Sequence, residues 1–521
     1  MSTSTRSPRT KRKAFSRRTL LQASALGLSG MALSKAAFAQ TVGGYQPPDS
    51  SPDLDDSNEI EPLGVTQTYP LVNRMTFGTN LSEVALFNKL GWDGYVEYHL
   101  APEKIVDTSL DSRLREFASI NATPYQCIKI YTWQNGFDIY YDVSSAQITR
   151  ATYAKAQFLE VMTEFWLDHF NIHNNRIWGV FLPSYVNNIR AAALTNFRNL
   201  LFTVAKSGAM SQYLDNVLNT TGHHNENYAR ELMELHTLGV YAGYDESDIY
   251  TARRCFTGWS FRGAYEWPPE KTTDTKWGTF QFYADVTKHD NEGGLFLGKK
   301  IAKGGLDQGE YILNTLSIHP STALHLARKL CTKLLGEGVS DAFVQSTADV
   351  FTSSAGDIKT ILRHILKQDN FTPNYKVKFK RPFHYLVSGM RVTNGNIVDS
   401  GDVLWWLLSQ LRQQPFQWGP PDGYPDKYLK WVDNLLPRWK VMMGVAQNNW
   451  WGVRTNPFLN ISSRTPAGVV SYINRYLFAG GLNTATQAAL QGYMRTSPAP
   501  TNGQIRETVG LALCSPEFMW Y

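Results

Sequence analysis

Between His223 and His236 the chain reads His-His-Asn-Glu-Asn-Tyr-Ala-Arg-Glu-Leu-Met-Glu-Leu-His, its densest run of side chains able to do chemistry. As an α-helix turning about 100° per residue, this run places His223, Glu226, Asn227, Arg230, Glu231 and Glu234 on one polar arc. Tyr228, Leu232, Leu235 and Gly239 fall on the other face with His236. Carboxylates one turn apart can divide acid and base work: Glu231 or Glu234 as acid or base, with Asp215 or Glu226 as partner. His, Asn and two Glu within three turns are also the donor types that hold a divalent metal. The bland alternative is a surface helix whose charges are solvated or tied in pairs, Arg230 with a carboxylate among them.

A second cluster is Asp168-His169-Phe170-Asn171-Ile172-His173. On a helix His169 and His173 stand four apart and can face the same way, so a metal set would be His169, His173, Glu231 and Glu234, with His223 in reserve. Two core or capping histidines fit the same spacing. His289-Asp290 and His319-Pro320 are weaker spots, and His99, His325, His364 and His384 read as ordinary helix residues. No P-loop, dinucleotide-binding glycine fingerprint, GxSxG elbow or CxxCH haem site is present, which disfavours nucleotide, dinucleotide and covalent-haem chemistry. The four cysteines, Cys127, Cys255, Cys331 and Cys514, form no CxxC pair. They read as buried small hydrophobes, or as one or two disulfides outside the cytoplasm.

Positioning these residues falls to helices. Apolar periodicity predicts helices over 70–74, 81–90, 148–173, 185–206, 209–216 and 225–238, the last closed by Gly239. A further helix runs from Asp245 to about Phe256 before Gly258, and others cover 308–316, 322–334, 341–352, 358–366, 382–392, 435–445, 466–477, 484–492 and 503–513. Residues 259–305 are rich in Trp, Phe, Tyr, Gly and Thr and read as a small strand and loop insertion. Residues 412–431, with four Pro and two Gly, read as an irregular loop. The fold expected is mainly α: one large helical body over 67–521, with the small insertion.

The ends bound the compartment and the partners. Residues 1–39 hold eight Lys or Arg and no acid, with Ser-Arg-Arg-Thr-Leu-Leu at 16–21, an apolar stretch from Leu20 to Leu33, and Ala37-Phe38-Ala39. That order is a twin-arginine export signal, so the mature chain is expected in the periplasm or outside the cell. The stretch is too short and dilute to span a bilayer, and no transmembrane anchor is expected later. Residues 40–66 read as a flexible mature N-terminus. Without the signal, 43 basic residues face 45 acidic ones, which removes the basic footprint of a nucleic-acid binder. Aromatics make up 13% of the chain, with 15 Trp and 26 Tyr, side chains that pack cores and also stack on sugar rings.

At these residues the chain resembles the bacterial family known as domain of unknown function 1800. The landmarks are Asn73-Arg74-Met75-Thr76-Phe77-Gly78, Phe165-Trp166-Leu167-Asp168-His169-Phe170, Tyr213-Leu214-Asp215-Asn216 and Asn225 through Gly239. Thr257-Gly258-Trp259, His289-Asp290, His319-Pro320, Lys380-Arg381-Pro382 and Ser515-Pro516-Glu517-Phe518 follow in order. The resemblance implies an exported protein, often encoded beside a second exported family, and hence a co-exported protein as partner. It departs at Leu167-Asp168, where the family tends to have His and Asn; a metal relying on that His would lose a ligand here. Taken together, the expected function is an exported enzyme acting on a polysaccharide or related polymer through a carboxylate-rich pocket. The alternatives are a metal-dependent oxidative or hydrolytic enzyme, or a non-catalytic binding or assembly protein.

Overall fold

The computed structural model describes residues 65–130, 136–262, 280–371, 378–398, 402–457, 461–495 and 499–521. The expected signal segment 1–39, and residues 40–66 apart from the last two, lie outside these. Helices dominate the described residues, interrupted by three two-stranded antiparallel ribbons, so the mainly α expectation holds.

Four expected helices are each interrupted, in each case without a proline or glycine at the break; the 466–477 helix, for one, passes from α at Pro466–Tyr472 to π at Ile473–Leu477. The 148–173 helix is two: Gly136–Tyr153 and Gln157–His169. Gln157 marks the joint. Its Nε2 donates to the carbonyls of Ala151 (3.0 Å) and Ala154 (2.8 Å), satisfying acceptors that the first helix leaves open at its end. Its Oε1 meanwhile accepts from the Phe77 amide (3.1 Å). The 185–206 helix becomes Leu182–Ala192 and Phe197–Ala205, the second started by the Asn196 side chain, which accepts from the Arg198 amide. The fourth interrupted helix, 225–238, belongs to the site below.

The insertion at 259–305 forms two ribbons, Trp259–Phe261 with Phe282–Ala284 and Gly294–Phe296 with Lys299–Ile301. Residues 263–279 of the expected insertion lie outside the described residues. A third ribbon, Asn396–Ile397 with Val453–Arg454, and the helix Asp402–Gln410 carry no sequence expectation.

The Pro382–Val392 helix is buried along its whole length and packs on Gly136–Tyr153, Asp402–Gln410 and Leu435–Ala446. It carries Arg391 into the interior, which is tolerable because the guanidinium is bonded: Nε to Gly78 O (2.9 Å), Nη1 to Thr152 O (2.8 Å), with Glu83 at 3.4 Å. Trp166 is the largest side chain wholly inside. It packs on Phe165, His169, Phe170 and Phe197 and donates Nε1 to Ala193 O at 2.9 Å. Trp166→Phe strips that carbonyl of its donor and leaves a void; urea unfolding is expected to show a loss of about 1–3 kcal/mol. Cys127, Cys255, Cys331 and Cys514 are all free thiols. No helix among the described residues is long and apolar enough to cross a membrane.

Candidate functional site

The expected 225–238 helix is an α-turn, Asn227–Glu231, followed by a π-turn, Leu232–His236. Asn225 starts it, its Oδ1 accepting from the Asn227 amide at 2.9 Å. A π-turn survives only where its loosened backbone groups find partners, and such turns cluster at functional sites. Here the free carbonyls of the last turn are taken up in sequence. Thr237 Oγ1 donates to Leu232 O (2.6 Å) and the Gly239 amide to Met233 O (3.2 Å). His325 Nε2 lies 3.1 Å from Leu235 O, and His169 Nε2 lies 3.1 Å from His236 O.

That chemistry fixes His169. Lys329 Nζ stands 2.8 Å from its Nδ1, so Nδ1 accepts and Nε2–H donates to the carbonyl. Burial, then the Lys329 charge and the neighbouring rings of His236 and His325, hold the His169 pKa far below its ordinary value. Burial and the Lys329 charge likewise push His236 down to about 3 and His325 down to about 4. These three rings are neutral caps and packing groups at working pH.

The carboxylates divide into two groups. Arg230 gathers Glu226 (2.9 Å), Glu234 (3.5 Å) and Glu246 (2.8 Å) around its guanidinium on the outer side. Glu231 is not among these ion pairs and is half-buried. Burial first, then the charges of Glu234 and Asp422, raise its pKa above the ordinary glutamate value, with Arg230 opposing them. Near it stands Tyr213, whose hydroxyl donates to Gly419 O (2.6 Å), and Asp422 accepts from Trp418 Nε1 (2.7 Å). Tyr244 lies on the Glu234 side, its phenol pushed up to about 12 by burial and by the nearby acids. The helix thus presents one carboxyl biased toward its protonated form beside charged neighbours, with aromatic rings nearby.

Asp422 and Trp418 come from the 412–431 loop, irregular as expected, and the loop is clamped. Asn171 Nδ2 donates to Trp418 O (2.9 Å) and Pro420 O (2.7 Å). Gly423, at φ 76°, approaches so closely that a Cβ there would stand 2.0 Å from Asp168 O. Gly423→Ala therefore combines left-handed strain with a backbone clash, and is expected to cost at least about 1–3 kcal/mol in thermal unfolding and to free the loop to proteolysis. Beneath the loop Arg381 binds Glu164 and Asp168 (2.5 Å), with Asp426 at 3.9 Å. Lys333 adds a second cation on Glu164 (2.5 Å) and Lys378 one on Asp426 (2.9 Å). Burial pushes Glu164 and Asp426 upward, but these cations outweigh it and hold both below the usual carboxylate range. Asp168 goes the other way: burial and the Glu164 charge push it up to about 6, although Arg381 opposes them.

Several sequence expectations need correction. His169 and His173 do not share a helix face. The helix ends at His169, and His173 caps the following short turn, its Nδ1 accepting from the Asn175 amide at 3.2 Å. His223 precedes the helix, exposed in a tight turn paired with Thr220. Among the described residues no three His, Cys, Asp or Glu side chains converge as metal ligands. The expected set of His169, His173, His223, Glu231 and Glu234 is therefore not assembled, because His169 faces an ammonium and the other two histidines lie outside the helices. Asp215 sits in the left-handed region and faces Arg176 at 3.7 Å, and Asn227 opens the helix through its backbone. His289 is buried against Thr257 O (2.8 Å), and His319 caps its helix through Ser321 N (3.1 Å). His325 is not an ordinary helix residue, since it caps the π-turn. Lys329, Asp422 and the Arg381 role escape the sequence reading; the one signal for them is that His325 and Lys329 stand four apart on one helix.

No curated protein and no solved structure matches the chain. The landmarks named at the sequence level converge here: Trp166 to Phe170, Asn225 to Gly239 and Lys380 to Pro382 build the site's floor, helix and clamp. From residue 70 to residue 520 the chain matches the profile of the protein family of unknown function designated DUF1800, and it belongs to that family.

Proposed function

We propose that the protein is an exported enzyme that hydrolyses a polysaccharide or a related polymer, with Glu231 as the general acid. The observation that carries this is Glu231 itself: half-buried, raised in pKa by burial, Glu234 and Asp422, with Tyr213 and Tyr244 near it and Trp418 bonded to Asp422. A protonated glutamic acid beside a charged carboxylate is the pairing that glycosidic cleavage uses, one carboxyl protonating the leaving oxygen and the other stabilising or attacking the sugar carbon. Asp422 or Glu234 is the second carboxylate. Asp215 is less suited, being engaged by Arg176, and Glu226 is held by Arg230 more closely (2.9 Å) than Glu234 is (3.5 Å). The route out of the cytoplasm rests on the Ser-Arg-Arg-Thr-Leu-Leu signal and the Ala37-Phe38-Ala39 site.

The test is direct. Export-matured protein is incubated with a panel of neutral and acidic polysaccharides and new reducing ends are measured. Release from one polymer class by the wild type, absent with Glu231→Gln, supports the reading; no release from any polymer overturns it. A binding or assembly role is favoured by a different feature, the loop after the π-turn, where Tyr241 is 100% exposed and Val240 56% exposed. A protein that retains a co-exported partner on immobilised wild type, loses it with Tyr241→Ser, and cleaves no polymer would be of that kind.

A further inference from the structure

Behind the 412–431 loop lies a cavity of about 30 Å³, room for a group of one or two heavy atoms. Its wall combines the Asp168 carboxyl, the amides of Gln147, Gln413 and Gln414, and the rings of Phe416 and Tyr424. Carboxyls, amides and aromatic faces together are a lining that suits hydroxyl groups on an apolar frame. Gln147 Oε1 is buried and accepts no hydrogen bond. A buried acceptor left unmatched carries a desolvation penalty that a donor from outside would relieve. The other amides have complementary duties. Gln413 Oε1 is taken by the Phe383 amide (2.9 Å), so what Gln413 has left to offer is N–H. The wall therefore holds both an open acceptor and a remaining donor, which is what one hydroxyl needs. Charge is near balance around it: Glu164, Asp168 and Asp426 face Arg381, Lys333 and Lys378, so a neutral group suits the cavity better than an ion.

We propose that this cavity is a subsite for the hydroxymethyl group of a neutral sugar, its hydroxyl donating to Gln147 Oε1 and accepting from the Gln413 side-chain N–H. The proposal rests on the saccharide reading of the Glu231 site and adds a specificity element to it. The link between them is the loop. Asn171 lines the cavity and ties down Trp418 and Pro420, and the same loop carries Asp422 to Glu231.

The test uses ligand-observed saturation-transfer NMR on the full mature chain, with methyl β-glucoside and its 6-deoxy counterpart as probes. Transfer is expected to concentrate on the C6 protons of the glucoside. It should fall at least threefold for the 6-deoxy sugar, and at least threefold for the glucoside in Gln147→Leu. Gln147→Met, which keeps the side-chain length and lacks the acceptor, is the second variant, and melting by circular dichroism verifies that both are folded. Glu231→Gln is expected to keep the C6 signal while abolishing polymer cleavage. Equal transfer from the two glycosides, or a signal undiminished in both folded Gln147 variants, would overturn the subsite. No transfer from either glycoside would overturn it too. In each case the polymer assay decides the enzymatic reading separately, so the two failures are distinguishable.

Discussion

Replacing Arg381 with methionine is expected to destabilise the fold by about 3–5 kcal/mol in urea unfolding at neutral pH. Arg381 is buried and is the one cation that touches Glu164 and Asp168 together, with Asp426 close by. Methionine fills the space but leaves Asp168 without a cation and Glu164 with Lys333 alone. The effect has a definite pH dependence. Glu164 and Asp426 are held below their ordinary values, so their contribution is present above the unfolded carboxylate pKa and is lost as pH falls through the folded values. Asp168 has the opposite sign. Its pKa is raised to about 6, so its ionisation costs stability as pH rises from the usual carboxylate range through about 6. In Arg381→Met all three carboxyls bind protons more readily. The gap between variant and wild type should therefore narrow as pH is lowered from 7 toward 4. A gap that stays constant over that range would show that Arg381 acts through packing.

The second large effect concerns Glu231. Glu231→Gln keeps the shape of the side chain and removes its proton, and polymer cleavage is expected to fall about 10²- to 10⁴-fold in kcat. Glu234→Gln should cost less if Asp422 is the partner carboxylate, and Asp422→Asn less if Glu234 is. The double variant of those two should approach the Glu231→Gln level. A general acid must be protonated in the free enzyme, so kcat/KM falls as pH rises through the Glu231 pKa. Because burial, Glu234 and Asp422 raise that pKa, the alkaline limb lies above the ordinary glutamate value. Neutralising Asp422 removes one of the raising charges and should shift the limb toward acid.

The helical body, including the helix that begins at Asn227, was legible in the sequence, because it rests on local pattern. Apolar residues at three- and four-residue spacing mark helices wherever they run, and the boundaries at Gly239, Asp245 and Gly258 follow from glycine and capping chemistry. What local pattern misses is where distant side chains end a helix. The 148–173 periodicity runs on unbroken through Ala154, because residues on both sides of the joint are buried, yet Gln157 folds back on the carbonyls and divides it. The π-turn is similar. Its carbonyls are satisfied by His169, 67 residues away, and His325, 90 residues away, so a run that reads as one α-helix relaxes at its end. The expected facing of His169 and His173 is lost for the same reason. Four-residue spacing of His169 and His173 means a shared face only if the helix continues past His169, and it ends there. Glu231 was among the residues singled out, but Asp422, whose charge raises it, stands in an irregular loop with no periodicity, held by the docking of Gly423 onto Asp168.

The central claim, that Glu231 is held ready as an acid by its surroundings, can be measured without knowing the substrate. Protein labelled with ¹³C at glutamate carboxyls is titrated by NMR, and the Glu231 resonance is assigned by its loss in Glu231→Gln. A midpoint above the ordinary glutamate value, moving down in Asp422→Asn, is the expected result. A Glu231 carboxyl that titrates at or below the ordinary value, indifferent to Asp422, would contradict it.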